Sequence, residues 1–480
     1  MKQKNMSQAL KRITLVMAAA VLVFVGCATK LQSPDLGGLY NELIQAEDPY
    51  RNPVIVVPGI LGSKLKDLDS NAVVWGAFGP GSANPKKPET ARLIALPMRE
   101  GAPLGALHDN VRPDGVLDQI EVHFAGLDLR LKAYFYMLGT LGAGYRDSEL
   151  GESGAIDYGD SHYTCFQFAY DWRRDIVESA RMLHEFILSQ RAYVQAETEK
   201  RYGIKDLDVK FDIVAHSMGG LVVRYYLRYG PADLPSDGSL PPLTWAGARY
   251  IENVVMVGTP NAGSVDSVND LVEGRKFAPF FGTYDSAILG TMPSIYQLLP
   301  RGRHGAVINA STEERIADIY DPALWERMNW GLADPRQDSV LQMLLPEVQD
   351  VAMRRRIALD HQSKALRRAK QFAAALDLRA SPPAGLSLYL IAGDAVPTNA
   401  VVAVDTYSGA TNVVKEAPGD GTVLRSSALM DEGIGSDVVG RLDSPIDWTS
   451  VHFLFTDHIG LTKDPGFSDN LLYLLFEKPK

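Results

Sequence analysis

The chain has few cysteines for its length, which limits how its fold can be stabilised. Only Cys27 and Cys165 occur among the 480 residues. A framework of several disulfides is therefore excluded, and stability has to come from packing. Because 46% of the residues are hydrophobic and 22% are charged, the chain carries enough apolar side chains for a large buried core.

Signatures of metal-dependent and nucleotide-dependent enzymes are also missing. The sequence has no His-Glu-x-x-His run, no paired cysteine set for zinc and no Gly-Lys-Ser phosphate loop. We therefore expect no metal and no bound cofactor. The formal net charge of −10 argues against nucleic acid as a partner, because such partners need basic surfaces.

The apolar run near the amino terminus is short of the ~20 residues that cross a bilayer. Four basic residues precede this uncharged stretch, which covers residues 13–26, and none of the first 27 residues is acidic. The pattern is typical of a removable export signal. We therefore predict a signal peptide over residues 1–27, followed by a tether over residues 28–49.

The end of this signal resembles a bacterial lipobox, in which a cysteine becomes the lipidated first residue. The run is Val25-Gly26-Cys27, although Phe24 stands where leucine is usual. Ordinary cleavage nearby is the alternative. The resemblance implies a protein anchored to the cell envelope by a lipid on Cys27, and by analogy Ala28 favours the outer membrane.

Short β-branched apolar runs predict buried parallel strands. The first is Val54-Ile55-Val56-Val57, and similar runs cover residues 211–215, 254–257 and 386–392. Helical segments lie between them, beginning after Asp175, at Met218 and after Ser468. This alternation predicts an α/β fold with a mostly parallel central sheet flanked by helices.

Two stretches interrupt the alternation and are predicted insertions in one domain over residues 50–480. Residues 66–160 are rich in glycine and proline and show few clear strands. Residues 266–380 are predicted to form a cap or lid over the carboxyl edge of the sheet. A hairpin is predicted beside that edge, over residues 401–404 and 411–414.

The clearest chemical signal is Ala215-His216-Ser217-Met218-Gly219, between a predicted strand and a predicted helix. This is the context of a nucleophile elbow, in which small residues two before and two after the serine avoid collisions in a tight turn. It predicts the α/β-hydrolase fold, with Ser217 as nucleophile. His216 is expected to point away from the site and to be structural.

Two backbone amides are predicted to form the oxyanion hole. One is the Met218 amide, at the start of the helix after the nucleophile. The other is the Ile60 amide, in the Pro58-Gly59-Ile60-Leu61-Gly62 loop after the first strand. A plain turn is the alternative for that loop.

A serine hydroxyl needs a base, and the fold places the acid and then the histidine after the serine. His458 lies in a loop just before the last helix and is the predicted base, with His452 as its rival. Asp420 is the predicted acid because the flanking glycines allow an exposed carboxylate, with Asp394 as the alternative.

Several blocks in order resemble the lecithin:cholesterol acyltransferase family, which includes lysosomal phospholipase A2. They span most of the chain after the signal and cover residues 53–62, 74–76, 170–173, 215–220, 258–264, 294–300 and 419–423. The resemblance implies the same triad, Ser217, Asp420 and His458, and the same oxyanion amides. It also implies a lipid ester substrate and a mobile lid.

The chain departs from this family in its cysteines and in its lid. Family members carry disulfides, including one beside the lid, whereas only Cys165 is left here once Cys27 is lipidated. The lid and cap regions also match poorly. The resemblance therefore leaves the substrate headgroup open.

We expect Ser217 to form an acyl-enzyme that water or an alcohol releases. The aromatic cluster Phe277, Phe280 and Phe281, with Met292, is predicted to line an acyl channel or a lid; ordinary core packing is the alternative. The partners expected are a lipid ester and a membrane. A carboxylesterase or thioesterase for soluble esters, and a non-catalytic lipid- or protein-binding lipoprotein, are the other hypotheses.

Overall fold

The computed structural model describes residues 48–78, 82–117, 119–124, 127–132, 134–141, 165–276, 282–316, 318–433 and 442–477. The predicted signal peptide over residues 1–27, including Cys27, lies outside these ranges, as does nearly all of the predicted tether. The predicted channel residues Phe277, Phe280 and Phe281 also lie outside them.

A six-stranded sheet forms the centre of the molecule. In chain order its strands are β1 (Val54–Val57), β2 (Cys165–Gln167), β3 (Phe211–His216), β4 (Ile251–Val257), β5 (Ser387–Gly393) and β6 (Ser450–Leu454). They lie in the order β6-β5-β4-β3-β1-β2, and every neighbouring pair is parallel. The predicted mostly parallel sheet is confirmed.

Burial explains which strands the sequence predicted. Every residue of β1 and β3 is buried, as a strand covered on both faces requires. β1 is apolar throughout, and β3 is mainly apolar apart from Asp212 and His216. The two strands that were not predicted, β2 and β6, lie at the edges of the sheet. β2 has only three residues and β6 is half-buried along its length, so neither carries a clear apolar run.

Helices cover both faces of this sheet and also fill the insertions. The helices used below are α1 (Ile176–Tyr202), α2 (Met218–Tyr229), α3 (Asp266–Glu273), α4 (Val351–Asp377) and α5 (Pro465–Leu472). Shorter helices span Pro88–Ile94, Phe135–Leu141, Ser286–Leu289, Pro293–Gln297, Pro322–Met328, Asp338–Leu344 and Arg425–Leu429.

Both ends of α1 follow the sequence signals. The Asp175 side chain accepts a hydrogen bond from the Val177 amide and caps the start of the helix. Gly203 ends it with a φ of 70°, a conformation that glycine adopts without steric cost. The prediction of a helix between these two residues is confirmed.

The first predicted insertion holds more strands than its sequence suggested. One three-stranded sheet contains Val73–Trp75, Ser63–Asp67 and Val111–Val116, and another contains Ala77–Phe78, Gln119–Phe124 and Leu127–Lys132. The expectation of few strands was wrong here. The strand Val111–Val116 includes Pro113 and Gly115, which hide its alternating pattern.

The predicted hairpin is present and is longer than expected. Strands Val396–Val404 and Thr411–Gly419 pair antiparallel, and Val307–Asn309 adds a third strand alongside the first. The second strand of the hairpin runs directly into Asp420. The hairpin therefore brings this carboxylate back to the carboxyl edge of the central sheet. A small two-stranded sheet, Glu432–Gly433 with Leu442–Asp443, follows it.

The run Tyr170-Asp171-Trp172-Arg173 forms a buried support after β2. The Arg173 guanidinium binds both carboxylate oxygens of Asp171, at 2.9 and 2.7 Å, and a third contact of 2.9 Å joins it to Asp109. Because Arg173 is fully buried, these carboxylates are needed to compensate its charge. The structure thus contains the Asp171–Arg173 ion pair in a structural position.

Across the described ranges, no helix is both long enough and apolar enough to cross a membrane.

The cap of α1 generates a prediction about stability. Besides capping the helix, the Asp175 carboxylate accepts hydrogen bonds from Gln297 Nε2 at 2.6 Å and Arg368 Nε at 2.6 Å. We expect Asp175→Ala to lower the free energy of unfolding by about 2–4 kcal/mol, because it removes a cap and leaves a part-buried guanidinium short of one partner. Urea unfolding followed by circular dichroism measures the change.

Arg181→Ala, on the same helix, is the matched control. The Arg181–Asp233 ion pair spans 3.7 Å between two half-exposed side chains. We expect its loss to cost less than about 1 kcal/mol. Equal effects of the two substitutions would contradict the role assigned to Asp175.

Candidate active site

Ser217 lies at a strained turn between β3 and α2. Its φ of 53° and ψ of −128° lie in a region that residues with a side chain rarely occupy. Its amide donates to the Val257 carbonyl at 2.8 Å, which ties the turn to the end of β4. The predicted strand, turn and helix around the serine are therefore all present.

The turn packs so closely against the loop after β1 that only glycine fits beside it. A Cβ atom on Gly219 would lie 2.4 Å from the Pro58 carbonyl oxygen, and one on Gly59 would lie 2.6 Å from Ser217 Cβ. Both distances are far below normal contact. The small residues of the motif are thus explained by two backbones that meet at the nucleophile.

The structure brings the three predicted triad residues together. His458 Nε2 lies 3.0 Å from Ser217 Oγ, and His458 Nδ1 lies 2.7 Å from Asp420 Oδ2. His458 occupies the loop between β6 and α5, and its side chain is 12% exposed, against 1% for Asp420. This is the spacing that proton transfer from a serine to an oriented imidazole requires.

Asp420 is held by more than the histidine. Its Oδ1 accepts hydrogen bonds from the amides of Thr422 at 3.0 Å and Val423 at 2.7 Å. Burial acts to raise the pKa of Asp420, but the His458 imidazole and these two amides outweigh it and hold the pKa below its usual value. The carboxylate therefore stays charged next to the imidazole.

The alternative acid and the alternative base each contact a residue outside the predicted triad. Asp394 Oδ2 lies 2.8 Å from Arg425 Nη1, and His452 Nε2 lies 3.2 Å from the Ser450 hydroxyl. The two histidines of the predicted cap, His304 and His361, each bind a backbone carbonyl. Of these candidates, the geometry selects Asp420 and His458.

The predicted oxyanion loop is anchored by aromatic side chains from the family blocks. The Tyr170 hydroxyl donates to the Pro58 carbonyl at 2.9 Å, and Trp75 Nε1 donates to the Leu61 carbonyl at 2.8 Å. Ile60, between these two points, lines the cavity beside Ser217. Met218 is buried at the first position of α2. The oxyanion role of these two amides stays a prediction.

A cavity of about 350 Å³ opens beside Ser217 and His458. Both predicted insertions contribute to its wall. Most of the side chains that line it are apolar, among them Trp75, Leu117, Trp172, Leu289, Ile295 and Leu298. The two tryptophans, Ile295 and Leu298 lie in the blocks that resemble the family, whereas Leu117 and Leu289 lie outside those blocks.

Met292 was predicted to line an acyl channel or a lid, with core packing as the alternative. It is fully buried and is not among the described residues that line the cavity. The structure therefore gives it a position in the core, which was the alternative interpretation. The segment with the three phenylalanines follows Arg275, which pairs with Tyr284 through backbone hydrogen bonds of 2.9 and 2.8 Å.

His216 was expected to point away from the site, and this was wrong. Its ring centroid lies 4.7 Å from that of His458, and its Nε2 lies 3.1 Å from the His458 carbonyl oxygen. Its Nδ1 lies 2.7 Å from the Tyr134 hydroxyl. Sequence reasoning missed Tyr134 altogether, because no recognisable motif surrounds it.

In the described parts of the chain, no group of three or more histidine, cysteine, aspartate or glutamate side chains is arranged to hold a metal ion.

A serine at a strand-to-helix elbow, with a histidine and an aspartate from later loops at the carboxyl edge of a parallel sheet, defines the α/β-hydrolases with a nucleophilic serine. The family model described as lecithin:cholesterol acyltransferase matches residues 157–433. This is more than half of the chain, and the chain belongs to that family.

Similar proteins agree with this placement. The chain is 24% identical over 284 residues to lecithin-cholesterol acyltransferase-like 4 of Arabidopsis thaliana, a match over 52% of this chain and 43% of the plant protein. It is 23% identical over 424 residues to lysosomal phospholipase A and acyltransferase of Bos taurus, over 84% of this chain and 89% of the bovine protein. The chain thus spans less than half the length of the plant relative.

Among solved structures, a chain of the Tle4–Tli4 complex is similar in fold. The two share a TM-score of 0.54 at 15% sequence identity, and the match covers 88% of this chain and 97% of that chain. At this level of identity the likeness supports the α/β-hydrolase fold.

The site generates a prediction that separates the two candidate acids. We expect Asp420→Asn to lower kcat for an ester substrate by about 10⁴-fold, because the amide no longer holds the imidazole in the required tautomer. Asp394→Asn is the control, since Asp394 binds Arg425 instead, and its kcat should stay within about twofold of wild type. Steady-state ester hydrolysis measures both, and a larger loss in the Asp394 variant would reverse the assignment.

Proposed function

We propose that the chain cleaves lipid esters through an acyl-enzyme on Ser217. His458 takes the hydroxyl proton while Ser217 Oγ bonds to the ester carbonyl carbon. The bond to the leaving alcohol then breaks, and that alcohol receives the proton from His458. In the second half, water or another alcohol loses its proton to His458 and bonds to the acyl carbon. The bond from that carbon to Ser217 Oγ then breaks, and His458 returns the proton to Ser217.

The observation that carries this proposal is the continuous hydrogen-bonded path from Ser217 to His458 to Asp420. Its two links measure 3.0 and 2.7 Å, and it lies beside a cavity that can hold a substrate. A protein that only binds lipid needs no base within reach of a serine. The path therefore favours the enzyme over the non-catalytic lipoprotein.

A lipid ester is the substrate class that fits the cavity best. The apolar wall suits an acyl chain, because burying each methylene group contributes about 0.8 kcal/mol. Membership of the acyltransferase family supports this choice. The bovine relative is named as a phospholipase A and an acyltransferase, so a phospholipid donor and an alcohol acceptor are the reactants to test.

One wall of the same cavity is polar, and it suits the part of the lipid that carries the ester and headgroup. Asp266 and Asp270 from α3 line it together with Arg275, and Arg275 Nη1 lies 2.8 Å from Asp270 Oδ2. Burial raises the pKa of Asp270 to about 6, although the nearby guanidinium opposes this shift. The cavity thus offers apolar and polar surface to a lipid with both.

The test uses a phospholipid with and without a long-chain alcohol, with the products resolved by mass spectrometry. We expect the wild-type protein to release a free fatty acid or to form the ester of the added alcohol. Ser217→Ala should lower both products by at least about 10⁴-fold while its circular dichroism spectrum is unchanged.

Two outcomes would favour the other hypotheses. Turnover of short soluble esters or thioesters without any cleavage of phospholipid would point to a carboxylesterase or thioesterase. Equal turnover by the wild-type protein and Ser217→Ala would contradict the serine mechanism and leave a binding protein as the better account.

We further propose that the protein is exported and anchored to the cell envelope by a lipid on Cys27. The basic start, the short apolar run and the sequence Val25-Gly26-Cys27 support this proposal. We expect radiolabelled fatty acid to be incorporated into the wild-type protein in a bacterial host and to be absent from Cys27→Ser. Equal labelling of both proteins would contradict it.

A further inference from the structure

A chain of buried hydrogen bonds runs behind Ser217 and joins the two loops that carry its predicted partners. The Gly59 amide lies 2.9 Å from the Tyr134 hydroxyl, which lies 2.7 Å from His216 Nδ1. The other ring nitrogen, His216 Nε2, lies 3.1 Å from the His458 carbonyl oxygen. We call this chain of hydrogen bonds the relay. It begins at the loop of the predicted oxyanion amide at Ile60 and ends at the backbone of His458, the predicted base.

The chemistry of the groups sets the direction of every bond in the relay. A carbonyl oxygen only accepts, so the proton of His216 is on Nε2 and is donated to His458. In a neutral ring Nδ1 then accepts, and the Tyr134 hydroxyl donates to it. The Gly59 amide, which only donates, fills the remaining acceptor position on the hydroxyl oxygen. Every hydrogen bond of the relay therefore joins one donor to one acceptor.

The relay depends on an uncharged His216. Burial, together with the adjacent His458 ring, lowers the pKa of His216 to about 3. Because His458 acquires a positive charge when it accepts the Ser217 proton, a second charged ring 4.7 Å away would oppose that step. A neutral ring supplies the hydrogen bonds without this repulsion.

The hydrogen bonds that Tyr134 and His216 make to the two loops are buried. Tyr134 and His216 are 4% and 1% exposed, so water does not readily replace either side chain. The loop of His458 is itself open to solvent, with Phe455 85% exposed and Ile459 41% exposed. The His458 amide donates to the Asp420 carbonyl at 2.9 Å, and His216 binds the His458 carbonyl from the other side.

We propose that Tyr134 and His216 are positioning residues, which hold the oxyanion loop and the base at the separation that acyl transfer needs. This inference rests on the proposed function. It assigns roles to two residues that do not touch the reacting atoms: Tyr134 acts through Gly59 and His216, and His216 acts through the backbone of His458. Misplacing either loop by about 1 Å is expected to cost on the order of 100-fold in rate.

The test compares kcat and KM for p-nitrophenyl butyrate in wild-type protein and Tyr134→Phe. The substitution keeps the ring but leaves the Gly59 amide and His216 Nδ1 without their partner. We expect kcat to fall by about 10- to 100-fold, with KM changed by less than about threefold and a pH profile of unchanged shape, since the titrating base is retained.

Tyr229→Phe is the matched control for a lost buried hydroxyl. The Tyr229 hydroxyl donates to the Ala375 carbonyl at 2.8 Å, between α2 and α4, and takes no part in the relay. Its loss should lower the melting temperature without changing kcat. The proposal is overturned if Tyr134→Phe has the kcat of wild type, or loses no more activity than the control.

A second pair of variants decides the outcome if Tyr134→Phe does not fold. His216→Gln retains a donor for the His458 carbonyl, whereas His216→Phe removes both ring nitrogens. We expect the glutamine variant to keep at least about tenfold more activity than the phenylalanine variant. Equal kcat in the two, or no folded protein from any of the three relay variants, overturns a positioning role.

The same assays separate this inference from the function on which it rests. If the wild-type protein and Ser217→Ala hydrolyse the ester equally, the proposed function fails and the positioning role fails with it. If only wild-type protein is active and Tyr134→Phe matches it, the positioning role alone fails.

Discussion

The close approach of two backbones at the nucleophile is the constraint on which the rest of the site depends. The strained turn at Ser217 packs against the end of β1 and the loop that follows, and neither Gly219 nor Gly59 has room for a Cβ atom. This contact brings the predicted oxyanion loop next to the serine. It also requires adjacent strands of fixed register, because Val57 pairs with Ala215 directly before the turn.

The second constraint is the support of loops that have little regular structure of their own. The backbone of the predicted oxyanion loop is held by the hydroxyl groups of Tyr134 and Tyr170 and by the indole of Trp75. The Asp420 carboxylate is held by two amides of its own loop. The family block over residues 170–173 thus serves to hold loops in place, since buried polar networks specify one geometry when every member is satisfied.

The errors of the sequence interpretation share a physical origin. The edge strand β6 was missed because edge strands need not be apolar on both faces. Met292 kept two interpretations because a methionine that lines an apolar channel and one that packs in a core look the same in a sequence. Alternation along a strand would point His216 away from Ser217. The strained turn breaks that alternation, so the ring packs against His458.

The sequence by itself determined the inner strands of the parallel sheet and the elbow that carries Ser217, because strand burial and turn sterics are local and leave a pattern in neighbouring residues. It left Asp394 and His452 as rivals, and only the tertiary structure decided between them and Asp420 and His458 by placing the former beside other partners. The contacts of Tyr134 and the assembly of the apolar residues into one cavity wall were likewise decided in three dimensions. Contacts between residues 75 or more positions apart depend on how whole elements pack, and no local periodicity records them.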